Sequence, residues 1–469
     1  MNARKMITRA DIEREIIRRY IAPTRKKRAD YIGVEFELPI VNKKKQAVDF
    51  HVVHAMTESF AKEFGFTDFR YDDEGNICAA QDPPTQDDLS FDCSYNTLEF
   101  SFGREQNLNV IHQRFQSYIS YINQFLGEHN HCATGMGINP YYKYNEITPV
   151  PNGRYRMLLH HLSSYEKYAD QMLFHNIPYY GLIACSAQTH INAHEQNLPE
   201  TINLFNMLEP LKALLFANSP SGDYLCLRDH LWRESMHGLN PHNVDCWNIH
   251  VDSVEEIAAY IRSMSLYCTE RDGKYINFAP VPLDEYFASD SIEGEYYDGG
   301  LYRHITWEPE LSDLQYLRSF KFVDLTFRGT LELRSACMQP VSEAMTVPAF
   351  HLGLACEMDR VRKILDDISI YRQGYTIAEL RKQFVMRSLP AFADKTELQD
   401  ALVQLVETAQ AGLQRRGLGE EALLRPLKRR AAAMKSPALE VMEGLEAGRS
   451  LEEYIAKYAV LEDTDETAF

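Results

Sequence analysis

Apolar and polar positions alternate along this chain with two different periods. From Glu105 to Leu126 the apolar residues Leu108, Ile111, Phe115, Tyr118, Ile119, Ile122 and Phe125 recur every three or four positions, which predicts a long amphipathic helix with one apolar stripe. The same period predicts helices near 9–22, 51–64, 155–175 and 200–217. The first has Thr8 and Asp11 at capping-box spacing and is expected to stop before Pro23. Period two predicts strands near 31–41, around Glu99, near 131–138, around His190, and near 274–279 and 321–336. Tyr71 to Ala80 predicts a hairpin turning at Glu74-Gly75-Asn76, and Asp82 to Asp88, with Pro83-Pro84, a loop.

Beyond about residue 340 only the helical period remains. Segments near 342–371, 376–387, 396–416, 419–445 and 449–459 carry it, punctuated by Gly374, Gly417 and Gly448. The implied class is α+β: a catalytic domain over 1–340, with the first helix packed on it, and a helical carboxy-terminal subdomain over 341–469. The acidic tail from Leu461 to Phe469 is expected to fray.

Four of the strand segments carry chemistry on one face. They are Gly33-Val34-Glu35-Phe36-Glu37-Leu38, Thr97-Leu98-Glu99-Phe100-Ser101-Phe102, Gln188-Thr189-His190-Ile191-Asn192 and Thr330-Leu331-Glu332-Leu333-Arg334. Side chains alternate along a strand, so Glu35 and Glu37 share a side, as do Glu332 and Arg334. One such segment alone would read as the solvated face of an ordinary antiparallel strand. Four together, rich in glutamate and poor in lysine, make a face that is electrostatically costly unless cations occupy it. Oxygen-ligated Mg²⁺ would resolve that cost and suggests a phosphate-bearing substrate.

Composition narrows the field. The chain has 67 acidic and 49 basic residues, a formal charge of -18, with 45% hydrophobic and 25% charged residues. These values suit a soluble globular protein, and the acidic balance argues against a nucleic-acid partner, since Arg25-Lys26-Lys27-Arg28 is too short a basic cluster. Nine irregularly spaced cysteines without a Cys-x-x-Cys pair suggest reduced thiols and a cytoplasmic protein. Met1 to Tyr20 has acids and no apolar stretch of the signal-peptide kind, and no window approaches eighteen consecutive apolar residues, so no membrane partner is expected.

With Ser186-Ala187-Gln188-Thr189-His190-Ile191-Asn192 and Phe216-Ala217-Asn218-Ser219-Pro220 added, followed by Arg228 and Trp232, the four segments stand in the order found in the glutamate–cysteine ligase family. The chain resembles its carboxylate–amine ligase branch, the plant and proteobacterial type, over roughly residues 30–370. That resemblance implies a glutamine-synthetase-like fold in which a curved antiparallel sheet flanked by helices holds ATP and two or three Mg²⁺ ions, with Mn²⁺ as a substitute. It implies phosphorylation of the γ-carboxylate of L-glutamate, followed by attack of L-cysteine or another amine on the γ-glutamyl phosphate. Carried onto this sequence, Glu35, Glu37, Glu99, His190 and Glu332 become metal ligands, and Arg334 and Arg228 bind the transferring phosphate or a substrate carboxylate. Gln188, Asn192 and Arg233 become cofactor-binding candidates.

The stretch Ser221 to Arg228 is shorter than in relatives and lacks a second tyrosine, which leaves the amine acceptor open. A relative that kept the fold and lost catalysis is the remaining alternative. No Gly-x-x-x-x-Gly-Lys-Ser/Thr loop occurs, and no ATP-grasp domain is expected to add a second ligation. The oligomeric expectation is a monomer or homodimer.

Overall fold

The computed structural model describes residues 7–462, so most of the tail expected to fray lies outside the described residues. The first helix, α1 (Arg9–Ile16), opens with the expected box: the Thr8 hydroxyl accepts from the Asp11 amide, and the Asp11 carboxylate accepts from the Thr8 amide. The regular helix stops before Pro23 as expected, although it is shorter than 9–22. Helical turns continue through a π-turn, Ile17–Ile21, and a 3₁₀ turn, Ala22–Arg25. Pro23 sits in the first turn of that last segment, where a missing N–H has no partner to lose.

Next come β1 (Ile32–Asn42), α2 (Phe50–Phe64), β2 (Asp68–Tyr71), β3 (Ile77–Gln81), β4 (Asp88–Phe91), β5 (Thr97–Glu105), α3 (Leu108–Glu128) and β6 (His131–Ala133). The hairpin and the long helix stand close to where periodicity put them. The expected 155–175 helix is shorter, α4 (Gly153–Ser163), and then loosens into a 3₁₀ turn, Ser164–Tyr168. After β7 (Ala187–Asn192) the expected single helix near 200–217 is two, α5 (Leu198–Met207) and α6 (Glu209–Phe216), with Pro210 starting the second. The chain continues with α7 (Leu227–Arg233), β8 (Val244–Asp245), α8 (Val254–Arg262), β9 (Ser265–Arg271), β10 (Lys274–Pro282), α9 (Leu283–Ala288), β11 (Ile292–Asp298), β12 (Leu301–Trp307), β13 (Phe320–Lys321), β14 (Val323–Leu325) and β15 (Thr330–Leu333).

Nine strands form one antiparallel sheet in the order β14-β15-β7-β1-β5-β4-β3-β2, with β6 also paired to β1. The segment expected as one strand over 321–336 is a hairpin that turns at Thr326–Gly329, so Asp324 faces Glu332 across it. Strands β12-β11-β10-β9 make a separate four-stranded sheet, of which only the 274–279 part is expected from the sequence. Its strands β11 and β12 carry Glu, Arg, His and tyrosines on both faces, so their apolar contrast is weak.

One face of the large sheet is the core. Val34, Phe36 and Leu38 stand beside Phe102, Phe100 and Leu98 of β5, and α3 lays Ile111, Phe115, Ile119 and Ile122 over them. Ring centroids of Phe36 and Phe115 are 4.9 Å apart. Each phenylalanine buried there contributes about 2–3 kcal/mol. The helix Thr346–Ala355 covers β7 on the same side, where His351 Nδ1 lies 3.1 Å from Thr189 Oγ1. Most helices after residue 340 share this apolar core with the sheet, while the last, Leu451–Lys457, packs Tyr454 and Ile455 into a separate apolar cluster with Val41, Cys132 and Tyr141.

Candidate active site

Because the apolar set of each strand turns to the core, the polar set must turn to the other side. Cross-strand register lines it up: Asp324 beside Glu332, Glu332 beside His190, Gln188 beside Glu35, and Glu37 beside Glu99. All of these except His190, which is buried beside Glu35 and Glu332, line an open cleft of about 960 Å³, and a smaller enclosed pocket of about 120 Å³ adjoins it beneath Arg154, Arg228 and Arg334.

Glu35, His190 and Glu332 each present one ligand atom within 4.8 Å of the others. Their approach depends on Gly33, which lies opposite His190 at a break in the β1–β5 register. A Cβ at Gly33 would come within 3.2 Å of the His190 Cβ. With no side chain there the imidazole leans over β1, and His190 Nε2 lies 3.0 Å from Glu35 Oε1. The His190 Nδ1 is buried without a hydrogen-bond partner among the described residues. Two carboxylates and an imidazole at this separation suit a divalent ion.

The electrostatics divide the acids into two kinds. Burial alone would push the Glu35 carboxyl up, but His190, through charge and hydrogen bond, together with Arg328 and Arg334, holds it at about 2. Glu37 goes the other way, to about 7, because burial and nearby Asp92 outweigh Arg228, the Ser186 amide and Arg334. Glu99 is pushed well up by burial and by Asp92, Glu35 and Glu37. Asp324 reaches about 7 through burial and Glu332. A floor where several buried carboxyls resist ionisation is one that gains from bound cations.

Glu37 is held by the Ser186 amide at 2.6 Å and by Gln188 Nε2 at 2.7 Å, which puts Gln188 in the cleft as a carboxylate-positioning residue. Arg334 donates to the Ser319 carbonyl at 3.2 Å, with Glu332 at 3.4 Å, and its guanidinium faces the Phe320 ring. Arg228 donates to the carbonyls of Ser335 and Arg334, and its Nε is buried without a hydrogen-bond partner among the described residues at the enclosed pocket. Behind it, Arg381 from the helix Ile377–Phe384 binds Asp229 at 2.7 Å and Glu209 at 2.9 Å, which anchors α7.

Two candidates point elsewhere. The Asn192 amide donates to the Ala29 carbonyl at 2.7 Å, so it ties the amino-terminal segment to the sheet instead of facing the cleft. Arg233 is committed to Asp245 at 2.6 Å and does not line the cleft. The stretch after Asn218-Ser219-Pro220 also turns away, since the Leu225 and Cys226 amides both donate to the Val385 carbonyl.

Sequence reasoning missed Asp92, Arg154, Arg318, Asp324 and Arg328, all of which line the cleft. Asp324 alternates with Val323 and Leu325, a signal that was available once the turn at Thr326–Gly329 was recognised. Asp92 and Arg154 lie just after β4 and at the start of α4, where periodicity says nothing about direction.

Comparison with known proteins places the chain in a family. The glutamate–cysteine ligase of Brassica juncea, named as chloroplastic, is 24% identical over 327 residues, covering 66% of this chain and 57% of that one. The chloroplastic glutamate–cysteine ligase A of Oryza sativa subsp. indica is 24% identical over 337 residues, covering 68% and 62%. The chain thus spans about three fifths of the length of these curated relatives. A solved glutamate–cysteine ligase from Francisella tularensis in complex with AMP superposes with a TM-score of 0.45 and 11% identity, over 93% of this chain and 88% of that one. The family model of glutamate–cysteine ligase family 2 matches residues 58–454, a match that starts after Glu35 and Glu37 and leaves those two resting on geometry. With most of its length inside that match, the chain belongs to glutamate–cysteine ligase family 2.

Proposed function

We propose that this protein is an ATP-dependent ligase that joins L-glutamate to L-cysteine through γ-glutamyl phosphate. The observation that carries the reading is the Glu35, His190 and Glu332 triad, in which the buried His190 backs two carboxylates that line one cleft together with Arg334. Family membership and the names of the relatives support the same chemistry.

A carboxylate resists an amine until one of its oxygens becomes a leaving group. Here the γ-carboxylate oxygen of glutamate attacks the terminal phosphorus of ATP, ADP departs, and the amine then expels phosphate. Mg²⁺, or Mn²⁺ in its place, would be held by Glu35, His190 and Glu332, with Glu37 and Glu99 available to a further ion, and would neutralise charge on the phosphates. Arg334, fixed by the Ser319 carbonyl, presents a planar cation to the phosphoryl group in flight. Arg228, with its unpartnered Nε at the enclosed pocket, receives a substrate carboxylate. That pocket, about 120 Å³ with Cys93, Met157 and Cys268 among its walls, matches a small amino acid with a polarisable side chain.

Of the segment that departs from relatives, Ser221 to Arg228, the Leu225 and Cys226 amides are bound to Val385 and only Arg228 reaches the enclosed pocket, so the departure leaves the carboxylate-binding cation in place and cysteine as the favoured acceptor. All nine cysteines are free, which supports the cytoplasmic placement. No helix among the described residues is long and apolar enough to cross a membrane. The reading is tested by measuring phosphate release from ATP and glutamate across a panel of amines. Cysteine and, more weakly, 2-aminobutyrate should be joined. Equal turnover with ammonia or an amine lacking a carboxylate would overturn the cysteine assignment.

A further inference from the structure

The turn between β14 and β15 overhangs the Glu35, His190 and Glu332 triad, and its shape is fixed by a part of the chain that precedes the family match. Within the turn, Thr326 and Thr330 exchange a hydroxyl contact at 2.8 Å, and the Gly329 amide donates to the Thr326 carbonyl at 3.1 Å. Gly329 has a φ of +77°, and a Cβ there would fall 2.8 Å from the Pro23 carbonyl. The turn can therefore close only against residues 22–31, which cross its outer side.

That crossing segment is itself tied down. Arg25 binds Glu195 at 2.8 Å, the Ala29 carbonyl accepts from Asn192 at 2.7 Å, and Arg28 donates to the carbonyls of Arg328 and Pro23. The preceding π-turn sets Tyr20 in the cleft wall beside Asp324 and Arg318. π-turns of this kind recur at functional sites.

At the tip of the braced turn stands Arg328. Its side chain is exposed and lines the same cleft as Glu35 and Glu332. Among the described residues it forms no ion pair within 4.0 Å, and its guanidinium carbon stands 5.7 Å from the centroid of the neighbouring Phe327 ring. Arg334, by contrast, is engaged by the Ser319 carbonyl and Glu332. A buried, anchored guanidinium suits the transferring group, and an exposed, unengaged one suits a polyanion that enters from solvent.

The geometry points to Arg328 as the guanidinium that grips the outer phosphates of the nucleotide, and to residues 22–31 as the brace that sets it over the triad. This rests on the ligase reading only in taking the ligand to be a nucleoside polyphosphate. Arg328 acts by contact with the phosphates, and Arg28 is a positioning residue that acts through the Arg328 carbonyl.

Calorimetric titration with MgADP tests both roles without turnover. Arg328→Ala should weaken MgADP binding on the order of tenfold, and Arg328→Lys should recover part of it. Arg28→Ala keeps Arg328 but loses its tie, and should weaken binding about threefold. In turnover KM for ATP should rise in each variant while KM for glutamate stays. Wild-type affinity in Arg328→Ala, with thermal melts showing a folded protein, would overturn the phosphate role. Wild-type affinity in Arg28→Ala would overturn the brace. A wild-type protein that binds MgADP, loses binding in Arg328→Ala and yet ligates no amine would refute the ligase reading and leave Arg328 standing. Absence of MgADP binding in the wild type would overturn the Arg328 proposal itself.

Discussion

Glu35 and Glu332 do different work from Glu37, although all three are glutamates on one sheet face. Glu35 is paired with His190 and ionises readily, so Glu35→Gln removes both a proposed metal ligand and a partner of the imidazole. That variant should lose ligation and also lose about 1–2 kcal/mol of stability without metal. Glu332→Gln should lose ligation while remaining folded. Turnover and urea melts check both, and wild-type turnover in either would contradict the metal role. Arg334→Lys keeps the charge and loses the fork that reaches the Ser319 carbonyl and the phosphate together. Its kcat should fall about a hundredfold, by more than KM for ATP rises. An unchanged kcat would reduce Arg334 to a partner of Glu332.

At the scale of elements, β1 is straightforward to read and its most consequential residue is not. The alternation Val34, Glu35, Phe36, Glu37, Leu38 marks one core face and one cleft face directly in the sequence. Gly33 gives no such signal, because its role is the space it leaves for an imidazole on β7. Gly33→Ala should keep the sheet and push His190 off Glu35, lowering activity about tenfold at limiting Mg²⁺ and less at saturating Mg²⁺. Activity against Mg²⁺ concentration is the measurement, and an unchanged Mg²⁺ dependence would sink the idea. The hairpin β14–β15 shows the opposite failure. Period two runs through Val323 to Leu333 and suggests one strand, but Gly329 at positive φ against Pro23 forces a turn, and only that turn brings Asp324 beside Glu332. Asn192 and Arg233 were legible as polar groups near the site and not as bonds to Ala29 and Asp245, since those partners are remote in sequence or lie on another element.

For the whole molecule the formal charge of -18 matters less than where the buried part of it sits. Glu37 and Asp324 have folded values near 7, above the ordinary carboxylate range, so between about pH 4 and 7 the folded chain holds more protons than the unfolded one. Their contribution to stability is complete below about pH 4 and is lost as pH rises through 7. Stability of the metal-free protein from these groups should therefore fall over that window, and Mg²⁺ should raise Tm more at pH 8 than at pH 5. In Glu37→Gln the amide can donate to Gln188 Oε1, which has no partner in the native site, so this variant should lose part of the pH slope. An Mg²⁺-induced shift in Tm that is equal at both pH values would contradict the assignment of the floor as a cation site. The α+β class, the sheet's polar face and the helical second half follow from residue periodicity. The four-stranded sheet from Ser265 to Trp307 does not follow as readily, because β11 and β12 are largely exposed or half-exposed and carry polar residues on both sides.

The central claim is that glutamate is activated by phosphorylation of its γ-carboxylate, and an isotope follows that oxygen directly. Glutamate labelled with ¹⁸O in the γ-carboxylate is incubated with ATP, Mg²⁺ and cysteine, and the released phosphate is analysed by mass. The account predicts one labelled oxygen in each phosphate, formed in step with γ-glutamylcysteine and ADP. Dipeptide accompanied by unlabelled phosphate, or ATP cleaved to AMP, would contradict it.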